Sequence, residues 1–321
     1  MILVIGEALI DLIQVGDQFK PVVGGANANV ALALARRGET QKFLGRISTD
    51  GFGKQIRNRL ASNGVNLDWS ISAKEPTTLA IANIDSAGVA TYAFYINGTA
   101  DWGWTEAELP TQEMLRQVNA GCIQFGCLTM AIEPGNLVIE KWLEGIKKAD
   151  QITLSHDLNI RSALGFKREV ELERVLRINN LSHIIKASDA DIEWLYELEP
   201  GSNLDEIANS WSQGGKLVVI TRGGDGASLY RSGERLDVTA PKINLADTVG
   251  AGDTFMANLL GELAGLDALG SAPLSRLERL SNDQLIACAS FAAIAAGIVC
   301  ERQGCEPPTK AEVEKLIALG K

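Results

Sequence analysis

Short apolar runs recur through the middle of the chain, at 2–5, 121–126, 151–157, 183–187 and 216–221. Between them lie stretches whose apolar residues fall at helical spacing, at 134–148, 167–178, 189 to about 198, and 203–213. Pro134 suits a first helical turn, and Ser188 suits an N-cap. Runs this short, apolar throughout and alternating with helices, predict a parallel sheet covered by helices on both faces. Ligands bind such sheets beyond the carboxyl ends of the strands. The polar clusters obey that rule: Asp157-Leu158-Asn159-Ile160-Arg161 follows one strand, Ser188-Asp189 another, and Thr221-Arg222-Gly223-Gly224 a third.

The first hundred residues carry a different pattern. Segments 12–15, 77–85 and 89–96 read as β, with helices predicted at 26–37 and 52–62. Thr78, Ala80 and Ala82 alternate on one segment, and Thr91, Ala93 and Tyr95 on another, so Asp85-Ser86-Ala87-Gly88 reads as a hairpin turn. A small sheet at one edge of the main domain fits this pattern and would serve as a lid. No internal repeat, low-complexity segment or long linker divides the chain. The expectation is one α/β domain over 1–321, doubly wound, with a β lid built from about 12–22 and 71–100.

Composition narrows the class. The chain has 321 residues, is 46% hydrophobic and carries a net charge of −10, which is ample for one large core. No basic block appears, so nucleic acid and anionic membranes are poor partners. Five cysteines, none in a Cys-x-x-Cys pair, read as reduced thiols and suggest the cytoplasm. His156 and His183 cannot form a metal cluster, and no run of eighteen apolar residues suggests a membrane span. The start Ile2-Leu3-Val4-Ile5 is strand-like, with no charged leader.

The chemistry concentrates in Asp247-Thr248-Val249-Gly250-Ala251-Gly252-Asp253-Thr254-Phe255, followed by Leu259, Leu260 and Leu263 at helical spacing. The small residues leave N–H groups bare at a helix N-terminus, where the helix dipole favours an anion. A carboxylate beside bound phosphate gains nothing by holding it, but it can take a proton from a hydroxyl that attacks it. A small-residue turn with Asp in its favoured first-turn place would look the same. A second glycine pair, Gly24-Gly25, precedes Asn29, whose amide can donate to and accept from a sugar hydroxyl. A tight turn with Asn caps is the bland alternative. Asp11, set in Ala8-Leu9-Ile10 and Leu12-Ile13, needs a partner or ligand unless it faces solvent on an edge strand.

Taken in order, Gly6-Glu7-Ala8-Leu9-Ile10-Asp11, Gly24 to Asn29, Gly45-Arg46-Ile47-Ser48-Thr49-Asp50-Gly51-Phe52-Gly53, and Asp247 to Phe255 resemble the successive signatures of the ribokinase-like, PfkB-type carbohydrate kinases. The resemblance runs from about residue 2 to 308. Asp157 to Arg161, together with Phe94-Tyr95-Ile96-Asn97-Gly98-Thr99-Ala100-Asp101-Trp102, looks most like fructokinases. It implies an αβα domain with a β lid and ATP-dependent phosphorylation of a sugar hydroxyl. Asp253 matches the family's catalytic base, and Gly250, Ala251 and Gly252 its anion hole. Asp11, Gly24, Gly25 and Asn29 match sugar contacts, with Asn97 and Arg161 as further substrate candidates. Thr221, Gly223 and Gly226 match the nucleotide turn. Ser188 and Asp191 fall where the family carries Asn-or-Ser-x-x-Glu, tied to nucleotide and Mg²⁺; Asp191 is one methylene shorter than the usual Glu. Glu193 is out of register and reads as an exposed helix residue.

An arginine in the 157–161 segment recognises a carboxylate in related sugar-acid kinases. A 2-keto-3-deoxygluconate kinase or a ribokinase therefore stands as the alternative substrate reading. Tyr92, Phe94, Tyr95 and Trp102 would wall the sugar, or else pack the lid. The resemblance also places a K⁺ site at Asp247, the carbonyl of Val249 and the 299–304 loop, which includes Val299, Arg302 and Gly304; Pro307-Pro308 departs from the family's single proline there. It further implies a homodimer formed through the lid. No Gly-x-Gly-x-x-Gly follows the first strand and no Gly-x-x-x-x-Gly-Lys-Ser/Thr occurs, which excludes dinucleotide dehydrogenases and P-loop kinases. A sugar-binding sensor without catalysis is the reading from another class.

Overall fold

The apolar runs pair side by side as expected. The computed structural model describes residues 1–84 and 90–319, the side chains of 82–84 and 90–92 excepted. In chain order the strands are β1 Ile2–Ile5, β2 Leu9–Val15, β3 Gln18–Gly24, β4 Gln41–Leu44, β5 Arg46–Ser48, β6 Ile71–Ala73, β7 Leu79–Ile84 and β8 Ala90–Tyr95. They continue with β9 Cys122–Gly126, β10 Thr153–Asp157, β11 Ile184–Ser188, β12 Leu217–Thr221, β13 Ala227–Arg231 and β14 Glu234–Val238. Among the described residues the main sheet runs β14-β13-β12-β11-β10-β9-β1-β4, and its strands from β12 to β4 are parallel. β13 and β14 finish it as an antiparallel edge. A second sheet, β3-β2-β7-β8, forms the appendage, and β5 pairs with β6 beside it.

The helices are α1 Ala26–Arg36, α2 Gly51–Ser62, α3 Gln112–Gln117, α4 Gly135–Ala149, α5 Arg168–Leu181, α6 Asp189–Tyr196, α7 Asp205–Trp211, α8 Ala251–Gly265, α9 Pro273–Glu278, α10 Asn282–Cys300 and α11 Lys310–Ala318. Side chains alternate across each strand, so β1 sends Ile2 and Val4 to one face and Leu3 and Ile5 to the other. The first pair packs with Val30 and Leu34 of α1, Leu259 and Leu263 of α8, and Leu285 and Ala289 of α10. The second pair packs with Ile139 and Leu143 of α4 and Ile178 of α5. α6 and α7 cover the far strands through Ile192, Leu195 and Trp211. Both faces of the sheet are therefore sealed, and its carboxyl edge is where polar groups gather. α10 has the length and hydropathy of a membrane span, but most of it is buried against α8 in the core.

The differences from the expected elements have local causes. β2 begins at Leu9 rather than 12, because Leu9 and Ile10 are buried where the lid joins the body. β3 was not expected as a strand: its first four residues are exposed, so no alternation marks it. The β13–β14 pair is likewise hidden by a short, mostly exposed edge strand. The hairpin turn expected at Asp85-Ser86-Ala87-Gly88 lies outside the described residues.

Asp50, in the third glycine-rich motif, ties the lid to the body. One carboxylate oxygen accepts from Gly53 N at 2.7 Å and caps α2; it also accepts from Thr77 Oγ1 at 2.7 Å. The other accepts from Thr77 N at 2.9 Å, just before β7. Burial works against the charge, but these donors outweigh it and hold the pKa below the usual value. Asp50→Ala removes a cap and the strap together and should cost about 1–3 kcal/mol in urea unfolding. Because the folded pKa is depressed, this stabilisation is present above the unfolded carboxylate pKa. It fades as pH falls through the folded one, so the gap between wild type and variant should close in acid.

Candidate active site

Two helix N-termini meet at the carboxyl edge of the main sheet. α1 starts after Gly25, whose φ of 106° no ordinary side chain adopts readily; a Cβ there would lie 2.6 Å from Glu7 O. A Cβ on neighbouring Gly24 would collide with Asp11 Oδ2. α8 starts after Gly250, also left-handed at φ 78°. The Ala251 N–H turns back to Thr248 O at 3.2 Å, while the N–H groups of Gly250 and Gly252 meet no acceptor among the described residues. The Asp253 N–H is likewise unanswered, so the turn keeps three bare amides, with Asp253 in the place expected of Ala251.

Asn29 on α1 and Asp253 on α8, 224 positions apart, meet across this junction: Asn29 Nδ2 donates to Asp253 Oδ2 at 2.8 Å. Asp253 is 6% exposed. Burial pushes its pKa up to about 7; Asn29 opposes the rise, Asp157 adds to it, and Lys186 and Arg161 offset part of it. Asp11, on β2 of the lid sheet, is pushed up to about 6 by burial, with Arg161 opposing. Arg161 itself lies exposed just beyond Asp157, and no hydrogen bond engages its guanidinium among the described residues. Asp11, Gly24, Gly25, Asn29, Arg161 and Asp253 therefore share one cleft between body and lid.

The nucleotide candidates line the adjacent strand ends. Ser188 and Thr221 are register partners at the tips of β11 and β12. Gly223 and Gly226 take positive φ in the turn that follows, and a Cβ on Gly226 would strike Val238 O. Asp191 Oδ1 accepts from Ile160 N at 2.7 Å and Oδ2 from Ser188 N at 2.8 Å, which links α6 to the 157–161 segment. Glu193, read as merely exposed, accepts from Gly201 N at 2.6 Å. Asp247 clamps two loops, accepting from Val249 N at 3.1 Å and from Gly304 N at 2.8 Å. Ala246 N and Asp247 N both donate to Cys300 O, directly after Val299, and Arg302 donates to Glu306 O.

Some expected wall residues separate. Phe94 and Ile96 pack with Trp102, Leu128, Leu164 and Phe166 beside the cleft. Tyr95 points outward at 58% exposure, and Asn97 is exposed in the turn after β8. The Tyr92 side chain lies outside the described residues.

Several members of the site escaped sequence reading. Lys186 Nζ donates to both oxygens of Asp157 at 2.9 Å, and both residues are buried. Burial works against the ammonium, but the Asp157 carboxylate outweighs it and raises its pKa. A lysine inside Ile184-Ile185-Lys186-Ala187 was the available signal, since a charge in a strand buried on both faces needs a partner. Glu7 accepts from Asn27 Nδ2 at 2.9 Å and Thr129 Oγ1 at 2.6 Å, and Asp101 accepts from Ala8 N at 2.9 Å and Thr78 Oγ1 at 2.5 Å. These pairs lock the floor of the cleft to the root of the lid.

Known proteins share this architecture and sequence. The profile described as "pfkB family carbohydrate kinase" matches residues 1–312. A fructokinase from Rhizobium leguminosarum bv. trifolii is 35% identical over 271 residues, 82% of this chain and 79% of that protein. Fructokinase-1 from Oryza sativa subsp. japonica is 30% identical over 323 residues, 97% of this chain and 96% of its own. The crystal structure of fructokinase with bound ATP from Xylella fastidiosa superposes with a TM-score of 0.87 at 24% identity, covering 99% of this chain and 98% of that one, which establishes the shared fold. The buried carboxylate at a glycine-opened helix N-terminus, the lidded αβα sheet and the match along nearly the whole chain lead to one conclusion: this protein belongs to the pfkB family of carbohydrate kinases.

Proposed function

We propose that the chain, acting as one kinase domain with a β lid, transfers the γ-phosphoryl group of ATP to a primary hydroxyl of fructose. The observation that carries this reading is Asp253. It is a buried carboxylate held by one donor, Asn29, in the first turn of a helix whose N-terminus offers bare amides. The relatives named as fructokinases favour fructose as the acceptor. An uncharacterized sugar kinase from Pyrococcus horikoshii, 25% identical with a TM-score of 0.79, has been solved in complex with ATP, which favours that donor.

In this reading the sugar lies between Asp11, Gly25 and Asn29, and the nucleotide runs along Ser188, Thr221 and the 223–226 turn. The acceptor oxygen bonds to the γ-phosphorus, the bond to the β,γ-bridging oxygen breaks, and the hydroxyl proton passes to Asp253. The amides of Gly250 and Gly252 receive the charge of the migrating group. The lid excludes water, which limits ATP hydrolysis.

Among the described residues no group of three or more His, Cys, Asp or Glu could cage a metal. That fits Mg²⁺ carried on the ATP phosphates, where it would neutralise charge. The Asp247 clamp between the 246–250 and 299–304 loops is our proposed K⁺ site, with the Val249 carbonyl as a further candidate ligand. Five free, buried cysteines favour the cytoplasm. The exposed guanidinium of Arg161 keeps a second acceptor in view, a sugar acid whose carboxylate it would bind.

A coupled ADP-release assay with fructose, ribose and 2-keto-3-deoxygluconate decides among these. Turnover with fructose is expected; sugar-dependent thermal stabilisation without ADP would mark a sensor instead. Asp253→Asn should lower kcat by about 10²–10⁴ with little change in substrate affinity; near-normal turnover would remove Asp253 as the base. The raised pKa of Asp253 sets two further expectations. The rate should fall as pH drops below about 7, as the base is protonated. The buried proton also favours the fold below the ordinary carboxylate pKa, and this support is lost as pH rises through the folded value. Asp253→Asn should therefore melt higher than wild type at pH 8, with the difference shrinking toward pH 5.

The lid sheet leaves Phe19 and Tyr95 exposed on one face. We propose that this face pairs with a second copy, which would also protect the sheet. Light scattering should give twice the chain mass, and Phe19→Asp with Tyr95→Asp should give the monomer. A monomeric wild type at micromolar concentration would count against the pairing.

A further inference from the structure

Carboxyl groups crowd the cleft that would receive a triphosphate. Asp11, Asp157, Asp191 and Asp253 lie around it, with Glu7 buried below. Two cations answer them: Arg161, exposed, and Lys186, 4% exposed. Lys186 spends two of its three donors on Asp157, its register partner on the next strand. A methyl group placed on Gly252 would come within 3.3 Å of Nζ. The ammonium therefore lies directly under the turn that opens α8, one residue from Asp253.

We propose that Lys186 is a positioning residue for phosphoryl transfer: its charge, fixed in place by Asp157, lets Asp253 stand as a carboxylate beside the acceptor hydroxyl. The proposal rests on the kinase reading above. In the transfer the proton goes to Asp253 and the electron pair of the broken P–O bond leaves with ADP; Lys186 neither gains nor loses a proton. Gly252 belongs to the same device, because a side chain there would displace the ammonium.

Among the described residues, Asp253 is coupled to charged and titratable groups from several elements. Asp157 ends β10, Lys186 lies on β11, and Arg161 follows β10. Cys127 follows β9 and Cys305 follows α10; burial raises both thiols far above neutrality, so they stay uncharged. The polar neighbour is Asn29 from α1. Removing Lys186 leaves Asp157 as an unopposed negative neighbour, whereas removing the charge of Asp157 leaves Lys186 as an unopposed positive one.

The test titrates the intact protein labelled with ¹³C at Asp carboxyls, the Asp253 signal being identified by its loss in Asp253→Asn. Lys186→Met should raise the Asp253 midpoint by about one pH unit, Asp157→Asn should lower it by a similar amount, and Lys186→Arg should leave it within a few tenths. The acid limb of kcat/KM for fructose should move in the same directions, so that Lys186→Met loses about fivefold at pH 7, about tenfold at lower pH, and recovers at higher pH. A packing role alone would not send two neutralising substitutions in opposite directions. Midpoints that stay put, or that shift the same way in the Met and Asn variants, overturn the proposal. Should Lys186→Met fail to fold, a lowered midpoint in Asp157→Asn beside an unmoved one in Lys186→Arg decides; an unmoved midpoint in Asp157→Asn overturns the proposal. Opposed shifts in a protein that turns over no sugar would sink the kinase reading alone; turnover with unmoved midpoints would sink only the role of Lys186.

Discussion

One hydrogen bond organises the cleft: Asn29 Nδ2 to Asp253 Oδ2, 2.8 Å long and buried between the first turns of α1 and α8. A carboxylate taken out of water costs free energy unless its lone pairs are answered. Here a neutral amide answers it directly, and cations act only from a distance. The result is a carboxyl group poised near neutrality rather than one locked in an ion pair. A direct salt bridge at the same place would favour the charged form so strongly that the group would make a poor proton acceptor. The bond also sets the relative placement of the two helix starts, so the glycine turns at 24–25 and 250–252 face a common space.

That placement depends on glycine where the chain has no alternative. Gly25 and Gly250 carry left-handed backbone at the helix starts, and any Cβ on Gly6 would run into the Asn27 amide. Asn27 in turn bonds Glu7 and the carbonyl of Gly126, so the β1–β2 connection, α1 and the end of β9 are held together beneath the cleft. Asp101 extends the same network to Thr78 and Ala8. The lid is thus anchored by buried acceptors at its root, while its outer strands remain lightly packed. A lid that opens and closes requires this division: fixed where it meets the body, free where it covers substrate.

Much of this was legible in the chain because the physics was local. The parallel sheet follows from short all-apolar runs such as Ile2–Ile5 alternating with amphipathic helices, and the two helix starts follow from glycines preceding a periodic apolar stripe. The position of Asp253 could be read from helical spacing alone. What could not be read was set by neighbours distant in sequence. Lys186 meets Asp157 only because β10 and β11 lie in register, and β3 is a strand only because β2 pairs with it. Asp191 was weighed as a shortened Glu, but its two oxygens bond Ile160 N and Ser188 N, contacts that depend on where the 157–161 segment folds back.

The arrangement also explains why the centre is assembled from secondary-structure ends rather than from one motif. A buried base, a nearby cation and bare amides placed adjacently in sequence would satisfy one another and leave nothing for a ligand. Here Asp253 rides the same helix as the amides but points to Asn29 on another, while Lys186 is held back by Asp157 on a third element. Each strong group is restrained by a partner from elsewhere in the chain, and the Gly250 and Gly252 amides with the Arg161 guanidinium are left open toward the cleft. Those open groups are donors, so the cleft's unanswered valence is for an anion, although the protein as a whole carries a charge of −10. Under the proposed function, selectivity for a polyphosphate would reside in a few fixed donors rather than in the net field of the surface.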